Sequence, residues 1–314
     1  MMSRRNLLLS LLSLLASLSA GGQAFVFSPQ WTAQAQFAGY YVAMEMGFYA
    51  EEGLNVEIVH PSSTQSAIEK FQKKECDAAT LPLSLAMRSV DEGLPLVNIL
   101  QTSMNSASML ISRWGSDPMT LKGAKVATVR AGFGQLSRCV ADLEGLDYQW
   151  IPLASCVNLF VAGAVDATLA RSYNEYYQLL ETGTIEPEGK GIYRFRDHGY
   201  NIQQEGVYVT RAYYQKHADE AERFARASRR GWEWAAEHPE ETLDIVMKYV
   251  NRYRIATNRV LQQLMLEEVL RLQLDPDTGE RAFRLRTDMV EKASQLMSKA
   301  GMLKRTVKYE DLMP

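Results

Sequence analysis

"AFVFSPQWTAQAQFAGYYVAMEMGFYAEEGLNVEIVH", residues 24–60, decides the fold. The apolar run 24–31 predicts a strand, and 35–53 predicts an amphipathic helix that ends at Gly53, since glycine commonly follows the last turn of a helix. Residues 54–60 alternate between apolar and polar side chains, which predicts a second strand. A strand, a helix and a strand joined by short loops are typical of a parallel β-α-β unit, so the sequence indicates an α/β protein.

The alternation of strands and helices continues and then restarts in the middle of the chain. A turn near Lys122 and a strand at 124–129 begin a new strand–helix series, and long helices follow toward the C-terminus. The restart predicts a second lobe, residues 118–204, inserted into a first lobe formed by 25–117 and 205–314. We expect a parallel sheet in each lobe and a hinge between them. Ligands bind beyond the carboxyl ends of the strands in open α/β sheets, so we expect a central cleft between the lobes.

The composition is that of an ordinary globular protein. The chain has 314 residues and a formal net charge of -3, with 46% hydrophobic and 23% charged residues. It has no excess of Lys and Arg, so it lacks the electrostatic attraction for phosphates that nucleic-acid binding requires. We therefore expect no nucleic-acid partner.

The N-terminus has the pattern of a secretory signal peptide. Arg4 and Arg5 precede an apolar Leu/Ser/Ala run at 6–20, and small residues follow at 20–24. The run is shorter than the ~20 apolar residues that a membrane-spanning helix needs. We predict that residues 1–24 are a cleaved signal peptide and that the mature protein is periplasmic. The two arginines also resemble a twin-arginine signal.

The cysteines and histidines do not suggest a metal site. Cys76, Cys139 and Cys156 have irregular spacing without a C-x-x-C motif, and the four histidines form no cluster typical of ligands. We predict no metal and no cofactor. Cys139 and Cys156 could form a disulfide, or all three could be buried thiols, because free cysteine packs as a small apolar side chain.

"SYNEYYQLLETG", residues 172–183, is a candidate for ligand binding after a short predicted strand. One interpretation is structural: Ser172 and Glu175 have the spacing of a capping box at a helix start. The other is functional, because a carboxylate and an amide can hydrogen-bond a polar ring, and a helix start after a strand lies where ligands bind. Asn174 is not explained by a capping box. Tyr173 would then form a wall of the pocket, while Tyr176, Tyr177 and Leu180 would lie in the core.

Other strand ends also carry candidate residues. Trp31 follows the first predicted strand and is either a stacking platform for a planar ring or a core side chain. Gln36 and Glu205 are further polar candidates. The glycines at 132 and 134 precede a helix and could hold an anion or simply form a tight turn.

Two passages resemble a known family. The segments 31–58 and 158–214 resemble periplasmic solute-binding proteins of the thiamine-pyrimidine-precursor type, which share a thiamine-biosynthesis-like domain, and aliphatic-sulfonate binders share the outline of the first segment. The resemblance implies a bilobal periplasmic binding protein of type II, in which the loop containing Ser63 often faces the ligand and the position of Phe37 often carries histidine. The residues of this loop, Ser62 to Thr64, could instead simply cap the start of the following helix.

The resemblance implies a binding protein more than an enzyme. The family includes an enzyme that builds the thiamine pyrimidine from its own histidine and pyridoxal phosphate, with a cysteine-rich iron motif. Phe37 would replace that histidine, and the segment 198–206, where the motif would align, contains no cysteine. We therefore expect no catalytic residues in this chain.

The expected function is capture of a small, aromatic nitrogenous solute for an inner-membrane ABC permease, by a monomer. The alternatives are a thiamine-pyrimidine synthase-like enzyme and a periplasmic sensing module for a separate signalling receptor. The ligand-binding residues that we expect are Trp31, Gln36, Phe37, Ser63, Tyr173, Asn174, Glu175 and Glu205.

Overall fold

The computed structural model describes residues 24–62, 65–129, 134–153 and 157–314. The predicted signal peptide therefore lies outside the described residues except for its last position. The same is true of Ser63, of Gly132 and of Cys156, so the predictions that concern them stay predictions.

Ten strands lie within the described residues, and they form two five-stranded sheets. In chain order the strands are β1 (Phe25–Ser28), β2 (Val56–Ile58), β3 (Ala78–Pro82), β4 (Leu96–Gln101), β5 (Ser108–Ser112), β6 (Lys125–Val129), β7 (Gln149–Leu153), β8 (Ala167–Arg171), β9 (Ile192–Arg194) and β10 (Glu205–Thr210).

The first sheet has the strand order β2-β1-β3-β10-β4, and the second has the order β7-β6-β8-β5-β9. In the first sheet β1 is parallel to β2 and β3, whereas β10 is antiparallel to both of its neighbours. In the second, β6 is parallel to β7 and β8, whereas β5 is antiparallel to both of its neighbours. The α/β, two-sheet architecture is confirmed, but each sheet is mixed and not wholly parallel.

The mixed direction has a topological reason. Strands β5 and β10 each come directly from the other sheet, without the crossover helix that a parallel connection needs. Each therefore enters its new sheet in the opposite direction. Strand β5 lies within 25–117, the segment predicted for the first lobe, yet it pairs in the second sheet.

The two connections between the sheets run side by side, at 102–107 and 195–204. The backbone N–H of Thr102 donates to the Glu205 carbonyl at 2.9 Å. The Ser103 hydroxyl accepts from the backbone N–H groups of Gln204 (3.0 Å) and Glu205 (2.8 Å). These hydrogen bonds hold the two crossing segments side by side, which is the arrangement expected of a hinge made of two segments.

Eleven α-helices lie within the described residues and cover the sheets. Within the described residues, none of them is both long enough and apolar enough to cross a membrane. In chain order they are α1 (Ala38–Glu45), α2 (Phe48–Glu51), α3 (Ala67–Gln72), α4 (Leu83–Asp91), α5 (Gln135–Leu143), α6 (Val157–Val161), α7 (Glu175–Glu181), α8 (Arg211–Glu237), α9 (Pro239–Arg252), α10 (Arg259–Leu272) and α11 (Thr287–Lys299).

The single helix predicted over 35–53 is divided in the structure. A short 3-10 turn at Ala35–Phe37 leads into α1, and Gly47 then adopts a left-handed conformation with φ of 79° before α2 begins. Gly53 also has a positive φ, 69°, as expected for the residue that ends a helix. The predicted end is confirmed, and the break at Gly47 was missed because a glycine inside a helical pattern has no unique outcome.

Helices α1 and α8 cross closely, and this crossing fixes the position of α1, which follows the candidate residues Trp31, Gln36 and Phe37. A Cβ atom on Gly39 would lie 2.2 Å from the Trp232 side chain, and one on Gly231 would lie 2.0 Å from the Gly39 carbonyl oxygen. Only glycine fits at these two positions without displacing the Trp232 side chain or the backbone of α1. Trp232 is fully buried there and packs edge-on against Tyr40.

Candidate functional site

The ends of strands from both sheets meet around two neighbouring cavities, each with about 500 Å³ of space that includes part of the open solvent. The outer cavity is lined by Trp31, Gln34 and Gln36 from the first-sheet side, and by Thr128, Val129, Gly134, Leu169, Ala170, Arg171, Tyr173, Asn174 and Glu175 from the second-sheet side. The second cavity, which we call the inner chamber, shares Gln36, Arg171 and Tyr173 with the outer cavity. Its other lining residues are Gln30, Pro82, Thr102, Ser103, Asn105, Ala107, Gln204, Glu205, Trp232, Val269, Leu272 and Gln273.

The structure brings most of the predicted site residues to these cavities. The outer cavity contains five of them: Trp31, Gln36, Tyr173, Asn174 and Glu175. Glu205 lines the inner chamber together with Gln36 and Tyr173.

Phe37 is placed elsewhere. It is fully buried in the first-sheet core and lines neither cavity, and its ring centre lies 5.6 Å from that of His60. Its expected role in ligand binding has no support from its position. Ser63 lies outside the described residues.

The backbone of Trp31 is held by a buried histidine that sequence reasoning did not select. His60 Nδ1 lies 2.6 Å from the Trp31 carbonyl oxygen, and its Nε2 lies 2.8 Å from the Tyr41 hydroxyl. A carbonyl can only accept, so Nδ1–H donates to Trp31 and Nε2 accepts from Tyr41. Burial lowers the pKa of His60 to about 4, which keeps the imidazole neutral, and the two hydrogen bonds fix this tautomer. Trp31 thus stands half-buried at the cavity on a rigid support.

Glu205 is a buried carboxylate in a network of amides. Its Oε2 accepts from Gln36 Nε2 at 2.5 Å and from Gln30 Nε2 at 3.0 Å. Gln34 Nε2 in turn donates to Gln36 Oε1 at 2.6 Å, which links both cavities. Burial raises the pKa of Glu205 to about 7, while the Gln36 hydrogen bond and the Arg171 charge act in the opposite direction. The group can therefore change its charge near neutral pH.

The helix at "SYNEYYQLLETG" does not begin with the capping box. The N-cap is Asn174 and has no side-chain cap, and Ser172 Oγ donates to Glu268 Oε1 on α10 at 2.5 Å. Glu175 Oε2 instead accepts from the backbone N–H of Arg171 at 2.9 Å. The structural interpretation was wrong in its hydrogen bonds, because a partner distant in sequence, Glu268, takes the serine hydroxyl.

Asn174 and Glu175 present polar atoms at the second-sheet side of the outer cavity. Asn174 is 9% exposed, and its Oδ1 accepts from Gln178 Nε2 at 2.7 Å. Its Nδ2 lies 3.4 Å from Glu175 Oε1. Burial raises the pKa of Glu175, partly offset by the backbone hydrogen bond from Arg171. The pair offers both hydrogen-bond donors and acceptors to a ligand.

The tyrosines of the same segment divide as expected. Tyr173 lines both cavities, and burial is the main reason why the pKa of its phenol is raised. Tyr176 is buried in the core of the second sheet, and Tyr177 and Leu180 pack against that core while partly exposed.

Arg171 is a site residue that sequence reasoning missed. It is the last residue of β8, lines both cavities, and donates through Nη1 to Ser108 Oγ. Its charge lowers the pKa values of Glu175 and Glu205 that burial raises. The available signal was an arginine at the carboxyl end of an otherwise apolar strand, where cleft residues lie.

The described residues hold no group of three or more His, Cys, Asp or Glu side chains arranged to bind a metal ion. Cys76 and Cys139 are buried thiols, and burial raises the pKa of each to about 12, so neither is a reactive thiolate. Cys139 Sγ lies 3.3 Å from Met302 Sδ.

Comparison with known proteins agrees with this architecture. A family model described as "NMT1/THI5 like" matches residues 34–242, which are two thirds of the chain. A formylaminopyrimidine-binding protein from Halalkalibacterium halodurans is 26% identical over 233 residues, which cover 69% of this chain and 68% of that protein.

Two solved structures are similar over nearly their whole length. A Candida albicans protein with the generic periplasmic binding protein fold has a TM-score of 0.67 and 16% identity, covering 91% of this chain and 92% of that chain. The periplasmic aliphatic sulphonate binding protein SsuA from Escherichia coli has a TM-score of 0.66 and 14% identity, covering 94% and 92%. At these identities the similarity concerns the fold alone. The chain therefore belongs to the NMT1/THI5-like family and has the α/β fold of periplasmic binding proteins.

Proposed function

We propose that this protein is the substrate-binding protein of an ABC importer and captures a small, planar, pyrimidine-like solute in the outer cavity. The observation that carries the proposal is that Trp31 and the Asn174–Glu175 pair line one cavity from its two sides. The 26% identical relative that binds formylaminopyrimidine supports the same ligand class.

Each residue would have a distinct role in binding. The Trp31 ring would stack on the planar ligand, which contributes ~0.5–1.5 kcal/mol beyond the buried area. The Glu175 carboxylate would accept from ring or amino N–H groups, and Asn174 would both donate and accept. A ligand that lacked these groups would leave buried polar atoms without partners, and this is the basis of selectivity.

Closure of the two lobes about the paired segments 102–107 and 195–204 would complete the site. The ligand would bind to one lobe, and its contacts with the other lobe would stabilise the closed form. We propose lobes formed by 25–101 with 205–314 and by 108–194, as the strand pairing suggests. The closed monomer, in the periplasm after export and signal cleavage, would then be recognised by the inner-membrane permease.

The same cleft gives little support to a pyrimidine synthase. Phe37 stands where that enzyme would need its reactive histidine, and it is fully buried. The segment 198–206 contains no cysteine for an iron site. If purified protein contained bound iron and showed pyridoxal-phosphate absorbance, the enzyme would replace the binding protein as the better account.

A thermal-shift panel tests the ligand class. The compounds are aminopyrimidines, flavin fragments, sulfonates and amino acids, each at a concentration well above the expected dissociation constant. A ligand at 100 times its dissociation constant stabilises the folded protein by roughly 2.7 kcal/mol, which is easily measured. We expect an aminopyrimidine to raise the melting temperature. A shift with sulfonates alone would contradict the proposal.

Glu175→Gln separates ligand binding from helix structure. The amide oxygen can still accept the Arg171 N–H, so we expect the melting temperature of the unliganded protein to change little. Loss of the charged acceptor should weaken aminopyrimidine binding by roughly tenfold or more, since hydrogen bonds to charged groups contribute about 1.5–3 kcal/mol. Glu181→Gln, on the exposed end of α7, is the matched control. A lower melting temperature with unchanged affinity would show a purely structural role for Glu175.

A further inference from the structure

Arg171 is held at the two cavities by a serine that lines neither of them. Arg171 is the last residue of β8 and pairs directly with Ser108, the first residue of β5, across the second sheet. Residues opposite each other in an antiparallel pair present their side chains on the same face of the sheet. Arg171 Nη1 donates to Ser108 Oγ. Ser108 is 4% exposed and lines neither the outer cavity nor the inner chamber, so its hydroxyl acts on the ligand space through Arg171.

Gln204, the last residue of the second crossing segment, fixes this serine in turn. Its Nε2 donates to Ser108 Oγ at 2.7 Å and to Ser106 Oγ at 3.1 Å, and its Oε1 accepts from the backbone N–H of Ala107 at 3.3 Å. A backbone N–H can only donate, so the amide oxygen must face Ala107 and the amide nitrogen must face the two serines. The Ser108 oxygen therefore accepts from both an amide and the Arg171 guanidinium, which occupies its two lone pairs.

The backbone of Gln204 is tied to the first-sheet side of the hinge. Its carbonyl accepts from the Leu83 N–H at 2.6 Å, at the start of α4, and its N–H donates to Ser103 Oγ at 3.0 Å. Gln204 therefore joins the first residue of a helix in one proposed lobe to the first residue of β5 in the other. Groups at a hinge move least when two lobes rotate about it, so we expect this anchor to keep Arg171 in place in open and closed forms alike.

The place of the Arg171 charge matters because it acts on both carboxylates of the cavities. Among the described residues that line the two cavities, the charged or titratable side chains are Arg171, Tyr173, Glu175 and Glu205. Burial raises the pKa of both carboxyl groups, and the Arg171 charge acts in the opposite direction on each. Burial also raises the pKa of the Tyr173 phenol, which therefore stays neutral where the carboxyl groups titrate. Arg171 is the cation of this group of four, and its charge favours the ionised form of Glu175.

We propose that Gln204 and Ser108 are positioning residues, which together hold the Arg171 guanidinium at the two cavities and so set the charge that a bound solute meets. The consequence for binding rests on the proposed function, in which Glu175 accepts N–H groups of the solute, because a carboxylate is a stronger acceptor than a carboxylic acid. Loss of either positioning residue would release the guanidinium, whose influence falls with distance and with exposure to water.

Titration of the carboxyl groups in the unliganded protein tests the positioning directly. Protein labelled with ¹³C at the glutamate carboxyl carbon is followed by NMR from about pH 4 to 9, and the two resonances are assigned by their loss in Glu175→Gln and Glu205→Gln. We expect Ser108→Ala and Gln204→Met each to raise the Glu175 midpoint by about half a pH unit or more, since moving a charge from ~5 Å to ~7 Å has an effect of this size. Either variant decides the matter if the other fails to fold.

Two residues nearby provide matched controls. Gln203→Met removes a fully buried hinge glutamine that donates to the Arg284 carbonyl at 2.9 Å, accepts from the Arg286 N–H at 2.8 Å and lines neither cavity. Ser89→Ala removes a buried hydroxyl that donates to the Leu85 carbonyl within α4 at 2.8 Å. Both controls should lower the melting temperature but leave the carboxyl midpoints within about 0.2 pH unit of the wild type. The same pattern in Ser108→Ala and Gln204→Met would show a purely structural role and overturn the proposal.

Calorimetric titration of a formylaminopyrimidine over the same pH range connects the positioning to binding. On acidification the affinity should fall at a higher pH in Ser108→Ala and Gln204→Met than in the wild type, by the same shift as the Glu175 midpoint. Protonation of the compound itself affects all the proteins equally. If the carboxyl midpoints move but the compound binds at no pH, the proposed ligand class is wrong and the positioning stands. If the compound binds and neither the midpoints nor the pH profile moves, the positioning is refuted while the proposed function stands.

Discussion

Two buried titratable residues at the site respond to pH in opposite directions. Burial raises the pKa of Glu205 to about 7, from an ordinary value of 4.5, and lowers that of His60 to about 4, from 6.5. As pH falls from about 6.5 to 4.5, the folded state gains stability through Glu205 and loses it through His60. The two contributions therefore oppose each other in this range of pH.

Glu205→Gln should remove one side of this balance. The amide oxygen can accept from Gln30 and Gln36, so the network is kept without the titratable group. As pH rises from about 4.5 to 7 the wild type loses the contribution of protonated Glu205, so the variant should become more stable relative to it by up to about 3 kcal/mol.

Denaturant unfolding of the wild type and Glu205→Gln at pH 5, 6, 7 and 8 measures this difference, and the His60 contribution cancels because both proteins contain it. A difference in unfolding free energy that stays constant over this range would contradict the shifted pKa of Glu205.

At the scale of elements, the loop after β1 is tied to the end of β2 and to α1. His60 follows β2, Tyr41 lies in α1, and their hydrogen bonds end at the Trp31 carbonyl. The ring that we assign to ligand stacking is therefore positioned by three elements. Since the partners are separated by up to 29 residues, sequence reasoning could identify Trp31 but not its support.

Tyr41→Phe tests this support. It leaves His60 Nε2 without its donor, so we expect a loss of about 1–3 kcal/mol in stability and several-fold weaker aminopyrimidine binding. Tyr49→Phe is the matched control, because the Tyr49 hydroxyl bonds Ser228 Oγ at 2.8 Å in the core, and Tyr49 lines neither cavity. Stability by thermal melting and affinity by calorimetry distinguish the two variants. Equal affinities for both would show that His60 does not position Trp31.

The elements themselves were largely predictable. The β-α-β unit at 24–60, the strand at 124–129 and the helix after Asn174 follow from local patterns of apolar residues and glycines, and all three are present. The direction of β5 and β10 was not predictable, because it depends on which sheet each strand joins. The same limit applies to Ser172, whose partner Glu268 lies 96 residues away.

Polar site residues at strand ends were identified from position, whereas those inside the fold were not. Trp31, Asn174 and Glu175 follow predicted strands and reach the outer cavity. Gln30 and Gln273 line the inner chamber, and nothing in the local sequence distinguishes them from surface glutamines. Their position at the chamber depends on how distant elements pack, among them the crossing segments, α8 and α10.

At the scale of the whole molecule, Glu268 links the two sides of the cleft, one formed by each sheet. It lies on α10 and accepts from Ser172 Oγ, which directly follows β8, at 2.5 Å. Arg271 holds the same carboxylate through Nε at 2.7 Å, and Arg196 Nη1 lies 3.6 Å from it. Because the carboxylate is 6% exposed, this hydrogen bond between the two proposed lobes is stronger than a surface ion pair would be.

Ser172→Ala should therefore favour the open form. Removal of one charge-assisted hydrogen bond between the lobes should weaken ligand binding by roughly three- to tenfold, about 1 kcal/mol, and increase the radius of gyration of the partly liganded protein in X-ray scattering. Gln263→Ala, on the exposed side of α10, is the control. If Ser172→Ala bound ligand like the wild type, the contact would have no part in closure.

The central claim is that a planar nitrogenous solute binds against Trp31 in the outer cavity. Calorimetric titration of a formylaminopyrimidine into the wild type and into Trp31→Ala tests it most directly. We expect saturable binding of one molecule per chain to the wild type, and at least tenfold weaker binding to Trp31→Ala with the melting temperature of the unliganded protein nearly retained. Absence of binding to the wild type, or equal affinity in the two proteins, would contradict the claim.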